Sequence, residues 1–222
     1  MNKQSQVKKI LLLSAVRHEL ACLLDSQGGL VSSWPKYQVY YHAVGVGLVA
    51  ASSSLTEILA ADSYDLAVFS GSCGAPSRFD LGSVMQPDKA LLWQGQGDHY
   101  FPSVMEREFA LDFLSRAQLD ASESSVRPGG PLYQGGAVAN PLAITSGEIP
   151  RSSLDEQGIV AENLEVAACA YVARRWQLSM QVFLAVSNHI GPQAHEQWLL
   201  YHQSAQKQSC SLLLGLLDGG FF

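Results

Sequence analysis

Three short, almost unbroken apolar runs, at residues 9–15, 66–69 and 180–187, constrain this chain more than any other feature. A run of that length without polar alternation is the mark of a strand covered on both faces by helices, and such strands lie in parallel sheets. The intervening segments change period. Residues 17–25 predict a short helix, and Gly45-Val46-Gly47 opens a proline-free, Ala/Ser/Leu-rich helix reaching residue 61. Further helices are predicted over 105–116, 162–177 and 192–217, and further strands over 36–44, 82–92 (interrupted at Pro87) and 141–147. Residues 94–102, rich in Gly, Gln, His and aromatics, predict a substrate-facing loop, and the polar stretch 119–140 predicts an excursion without a clear period. Strands alternating with helices imply an α/β fold. The expectation is one domain over residues 1–222, with a mixed, largely parallel central sheet flanked by helices in three layers.

Composition supports one core and narrows the function. Of 222 residues, 47% are apolar and 15% charged, which excludes a disordered chain. The net charge of −6, from 14 basic against 20 acidic residues, leaves no basic surface for a phosphate backbone, so nucleic-acid binding is disfavoured. Cys22, Cys73, Cys169 and Cys210 form no C-x-x-C clip and no zinc spacing, which fits a reducing compartment. The apolar run after Lys8 and Lys9 is cut by Arg17, His18 and Glu19, too early for a signal peptide or a membrane span. A cytoplasmic protein is expected.

In parallel sheets, ligands bind at the carboxyl ends of the strands. Those positions here hold Glu19, the Gly45-x-Gly47 turn, Ser70–Gly74, Gly147-Glu148 and Ser187-Asn188-His189, with Glu165 opening the following helix. Gly45-Val46-Gly47-Leu48-Val49-Ala50 fits the dinucleotide fingerprint, but no acid ends the next strand, so the glycines read as tight-turn residues. Ser70-Gly71-Ser72-Cys73-Gly74 misses the hydrolase elbow because its first position is Ser. It does offer N–H groups and hydroxyls to a polar ligand. Glu165 is flanked by Leu164, Val166, Ala167 and Ala168, where an unpaired carboxylate is costly, so it needs a partner. Asn188 suits a helix cap as well as a site, and a solvated helix face explains Glu19 as well as a site does. His189 and His195 lack ligand-pair spacing, and neither a metal nor a cofactor is expected.

Taken in order, these elements resemble the nucleoside phosphorylase and nucleosidase superfamily: residues 10–15 followed by Glu19, the Gly45-Val46-Gly47 turn, Ser70 to Ala75, Thr145-Ser146-Gly147-Glu148, Glu162-Asn163-Leu164-Glu165, and Ala185 to Asn188. The tail Ser187-Asn188-His189-Ile190-Gly191-Pro192 is most similar to futalosine hydrolase, which releases hypoxanthine in one menaquinone route; the methylthioadenosine/adenosylhomocysteine nucleosidases carry an Asp at the place of Asn188. The resemblance implies that Glu165 holds the ribose 2′ and 3′ hydroxyls and that Glu19 deprotonates the attacking water. It further implies that Asn188 bonds the purine at N7 and its 6-substituent, and that Ser72, Gly74 and Leu164 line the ribose side. Ile149 and Pro150 stand where the family packs its purine, and Val166 replaces a small residue and would crowd the pocket. Phosphorylases place an arginine before the Gly-Ser turn; Phe69 and Ser70 fill that place here, which favours water as nucleophile. Family members form homodimers in which a loop aromatic, here Phe101 or Tyr100, crosses the interface. A phosphorylase, a methylthioadenosine/adenosylhomocysteine nucleosidase and a non-catalytic nucleoside-binding protein are the alternatives.

Overall fold

The structure, a computed structural model, describes residues 7–25, 27, 29–30, 32–93, 107–115, 118 and 131–222. Strand β1 (Lys8–Ser14) shows why its apolar run is continuous: Ile10 and Leu12 enter one core cluster, Leu11 and Leu13 the other. It pairs in parallel with β2 (Tyr37–Ala43) and with the first half of β3 (Leu66–Ala75). Along its whole length β3 also pairs in parallel with β10 (Met180–His189). The sheet continues through β4 (Val84–Gln86), antiparallel to β10, and β7 (Leu132–Gln134). On the other side it runs through β9 (Ile159–Glu162), β8 (Ala137–Asn140), β5 (Lys89–Leu92) and β6 (Glu108–Ala110). Six pairings are parallel and three antiparallel, so the expected mixed, largely parallel sheet is what forms.

Helices cover both faces. On one, α1 (Leu48–Ala61) buries Ala51, Leu55 and Leu59, four residues apart and therefore on one stripe, beside the small-residue face of α3 (Val166–Arg175). On the other, α4 (Ala194–Gly219) lays Leu212, Leu213, Leu216 and Leu217 over Phe183 and Val68, and a 3-10 turn (Arg17–Leu23) adds Leu20 and Leu23. The six-residue α2 (Arg151–Glu156) precedes β9.

Several expectations are corrected. Glu108–Ala110 is a strand, not part of a helix, because Phe109 and Leu111 are buried while Glu108 and Ala110 are exposed, a period of two. The strand expected over 141–147 lies upstream at Ala137–Asn140; Pro141 has no N–H to continue the ladder, and Leu142 and Ile144 are exposed. Ile159–Glu162 forms a strand within and just before the segment read as helix, and α3 starts only at Val166. Residues 70–74 are strand, not turn, because β10 pairs with β3 up to Ala75. The loop expected over 94–102 lies outside the described residues. Cys22 and Cys210 form a disulfide, with Cα atoms 6.3 Å apart, against the reduced cysteines expected from their spacing.

Candidate active site

Glu19 is carried past the end of β1 by the 3-10 turn and is 6% exposed. Its carboxylate is held by backbone: Oε2 accepts the Ala15 and Val16 N–H groups at 2.9 and 3.3 Å, and Oε1 accepts the Ser72 N–H at 3.1 Å and the Ser72 hydroxyl at 3.3 Å. Gly71 makes this approach possible, since a Cβ there would lie 3.0 Å from Oε1. Burial pushes the Glu19 carboxyl above its ordinary range, and the N–H donors pull against that.

Glu165 stands at the N-cap of α3, 4% exposed, and its Oε1 accepts the Gly47 N–H at 2.9 Å. This contact explains the glycine turn. Gly45 and Gly47 have φ of +87° and +85°, so the chain doubles back to aim an N–H at the carboxylate, with no need of a nucleotide. Burial, with the charge of Glu19 adding to it and the Gly47 N–H opposing, pushes Glu165 up to about 7. Asn163 caps the same helix, its Oδ1 accepting the Glu165 and Val166 N–H groups at 2.9 and 3.0 Å, while Asn140 accepts from Ala167.

Asn188 is aimed by a bulge. The β3/β10 register shifts between Val186 and Asn188, which turns Asn188 to face Gly74. Its amide is oriented by the His189 carbonyl, 3.3 Å from Nδ2; Oδ1 lies 2.9 Å from the Ser187 hydroxyl, whose single proton is also within reach of the Cys73 carbonyl at 3.1 Å. A second N–H of Nδ2 therefore remains for a ligand. A Cβ at position 74 would stand 2.9 Å from that nitrogen.

These groups meet at one cavity of about 270 Å³, lined by Glu19, Ser72, Gly74, Leu164, Glu165 and Asn188. Ile149 and Pro150 are not among its lining residues: Ile149 packs against the cluster of Trp93, Leu154 and Ile159, and Pro150 caps α2. Phe101 lies outside the described residues. Val166, expected to crowd the pocket, opens α3 with its side chain fully buried in the core and is not among the cavity's lining residues. His189 and His195 do other work: the His189 Nε2 lies 3.1 Å from the Phe79 carbonyl, and His195 stacks on Trp198. Sequence reasoning gave no site role to His18, Ile144, Glu162, Trp198 and Gln206, all of which line the cavity. The one signal for Glu162 is a carboxylate beside the apolar residues 159–161, and it is masked because the segment from 162 reads as the start of a helix. The cavity shares His18, Glu19 and Gln206 with an open cleft of about 620 Å³ bordered by His202 and Lys207.

Two carboxylates and an amide, held by backbone groups at the strand ends, thus meet at one small cavity, the place where α/β sheets bind their ligands. Residues 30–218 match the Phosphorylase superfamily, and the chain belongs to it. No curated protein matches the sequence. Among solved structures, the chain is similar to the 5′-methylthioadenosine/S-adenosylhomocysteine nucleosidase of Streptococcus pneumoniae with a transition-state inhibitor (TM-score 0.77, 20% identity, covering 95% of this chain and 99% of that one). It is likewise similar to the Helicobacter pylori enzyme with an immucillin (0.79, 15%, 96% and 99%) and the Colwellia psychrerythraea enzyme with adenine (0.74, 15%, 96% and 96%). At these identities the likeness establishes the fold.

Proposed function

We propose that this protein is a purine nucleoside N-ribosyl hydrolase that uses water as nucleophile and prefers a 6-oxopurine base, as futalosine hydrolase does. The observation that carries the reading is the convergence of Glu19, Glu165 and Asn188 on one cavity whose described lining holds no lysine or arginine. Cleaving an N-glycosidic bond builds positive charge on the ribose and negative charge on the purine. Glu165, one oxygen anchored by Gly47, uses its remaining lone pairs on the ribose diol and its charge on the cationic sugar. Glu19 takes a proton from the attacking water, which replaces the long Ser72 hydroxyl contact. Asn188 donates its free N–H to N7 or to the 6-oxo oxygen of the departing base. Leu164, Ser72 and Gly74 bound the sugar.

A second reading, an adenine-releasing methylthioadenosine/adenosylhomocysteine nucleosidase, is supported by the names of the similar structures. Purine ribonucleosides assayed for free-base release test both. The expected outcome is release of hypoxanthine faster than adenine, with Glu19→Gln lowering kcat by about 10² or more at nearly unchanged affinity. An unchanged kcat in that variant removes Glu19 from the mechanism, and faster adenine release favours the second reading.

The reading includes a homodimer in the cytoplasm, where the Cys22–Cys210 bond would be an exception to the usual reduced state of cysteines. Val46 and Ile144 stand at the cavity, with Val49 (83% exposed) and Leu142 (76%) beside them in the chain, an apolar margin suited to a second copy. Sedimentation velocity checks this: a monomer at micromolar concentration would remove it.

A further inference from the structure

We infer that Glu162 reads the base, its carboxylate accepting the ring N1–H of a 6-oxopurine and so selecting hypoxanthine-type over adenine-type ligands; the inference rests on the nucleosidase reading above. Glu162 ends β9, is 4% exposed, and lines the cavity beside Cys73, Gly74 and Asn188. It pairs with Gly74 across the single β3/β9 bridge. A Cβ at Gly74 would stand 2.9 Å from the Asn188 Nδ2 and 3.7 Å from the Glu162 Cβ, so the two side chains flank one gap that only glycine leaves open.

The hydrogen bonding of Glu162 is incomplete. Thr145 donates its N–H to Oε1 at 3.1 Å and its hydroxyl to Oε2. A carboxylate offers about four acceptor positions, so about two remain, and no lysine, arginine or histidine pairs with it among the described residues. Burial pushes its carboxyl upward, as expected of an acid short of partners. The gap thus has a donor edge, the Asn188 N–H, and an acceptor edge, the Glu162 carboxylate. A 6-oxopurine matches both, with N7 and the 6-oxo oxygen as acceptors and N1–H as donor. Adenine presents N1 as an acceptor, which sets its lone pair against the carboxylate.

Thr145 provides the control, because a carboxylate that merely latched its loop would affect every base alike. Equilibrium binding of free hypoxanthine, 1-methylhypoxanthine and adenine, measured by calorimetry at pH 8, needs no assumption about the 5′ substituent. Wild type is expected to bind hypoxanthine at least ~10-fold more tightly than either of the others. Glu162→Gln can turn its amide to donate to adenine N1, and should move the hypoxanthine/adenine ratio toward adenine by ~10-fold or more; Thr145→Val should leave the ratio in place. If bases bind but wild type does not discriminate, or Glu162→Gln and Thr145→Val weaken all three bases equally, Glu162 is only a latch and the inference is overturned. If no base binds and no ribonucleoside loses its base, the nucleosidase reading falls and this inference with it.

Discussion

Glu165 shows how one residue can serve a site and burden a fold. Its carboxyl titrates near 7 in the folded chain against about 4.3 in an unfolded one. Between those values the folded state holds a proton that the unfolded state has released, so this residue's contribution to stability is complete below about pH 4.3 and is lost as pH rises through 7. The gap of between two and three pH units corresponds to on the order of 3 kcal/mol. Glu165→Gln keeps an oxygen for the Gly47 N–H and removes the titration. Denaturant unfolding at pH 5 and pH 8 should therefore show the variant gaining on wild type at the higher pH while its turnover collapses; parallel loss of stability in both proteins would mean that Glu165 is not strained by burial. The sequence exposed this residue because small and apolar neighbours leave a carboxylate nowhere to be solvated. It did not expose Glu162, whose segment reads as the start of a helix, or the Asn163 cap, which takes its meaning from where α3 begins.

Among the elements, the 3-10 turn carries the Glu19 carboxylate, the proposed water base, on little structure of its own. It buries Leu20 and Leu23, and Cys22 ties it to α4 through Cys210. The bond spans 188 residues, and closing so long a loop restricts the unfolded chain by a calculated ~5 kcal/mol, of which ~2–4 is the usual yield. Cys73 and Cys169 are free and buried, so Cys22–Cys210 is the bond on which a reductant acts. Thermal unfolding should fall by roughly 4–16 °C on reduction or in Cys22→Ser, on a scale of ~2–4 °C per kcal/mol for a chain of this size, and the Ser variant should ignore reductant. Equal melting of oxidised and reduced wild type would show that the turn does not depend on the bond. Neither the pairing nor the length of β3 could be read from the sequence. Residues 70–74 look like a turn because they are small, yet Gly71 and Gly74 are small so that Glu19 and Asn188 can approach a continuing strand. Alternation of strand and helix was legible because burial on both faces leaves an unbroken apolar run; short strands such as β9 and β6 were not, because pairing rather than composition makes them.

For the molecule as a whole, the placement of charge argues for water over phosphate. Glu19, Glu162 and Glu165 open on one cavity in a chain of net charge −6, and His18 is the one basic residue among its described lining. A like charge about 4 Å from an ionised carboxylate costs about 4 kcal/mol at an effective dielectric constant of 20, and the described lining has no arginine or lysine to offset the charge of a phosphate dianion. The same carboxylates favour the cationic sugar of the transition state and tolerate a neutral water. The absence of an arginine before the Gly-Ser segment was readable in the sequence; that three carboxylates replace it at the cavity needed the fold, which brings β1, β3, β9 and β10 to a common edge. Base release should therefore run at the same rate with and without phosphate at constant ionic strength, give free ribose, and carry oxygen from isotopically labelled water at C1 of the sugar. Acceleration by phosphate together with recovery of ribose 1-phosphate would instead make this chain a phosphorylase, and would require a lysine or arginine that the described cavity lining does not supply.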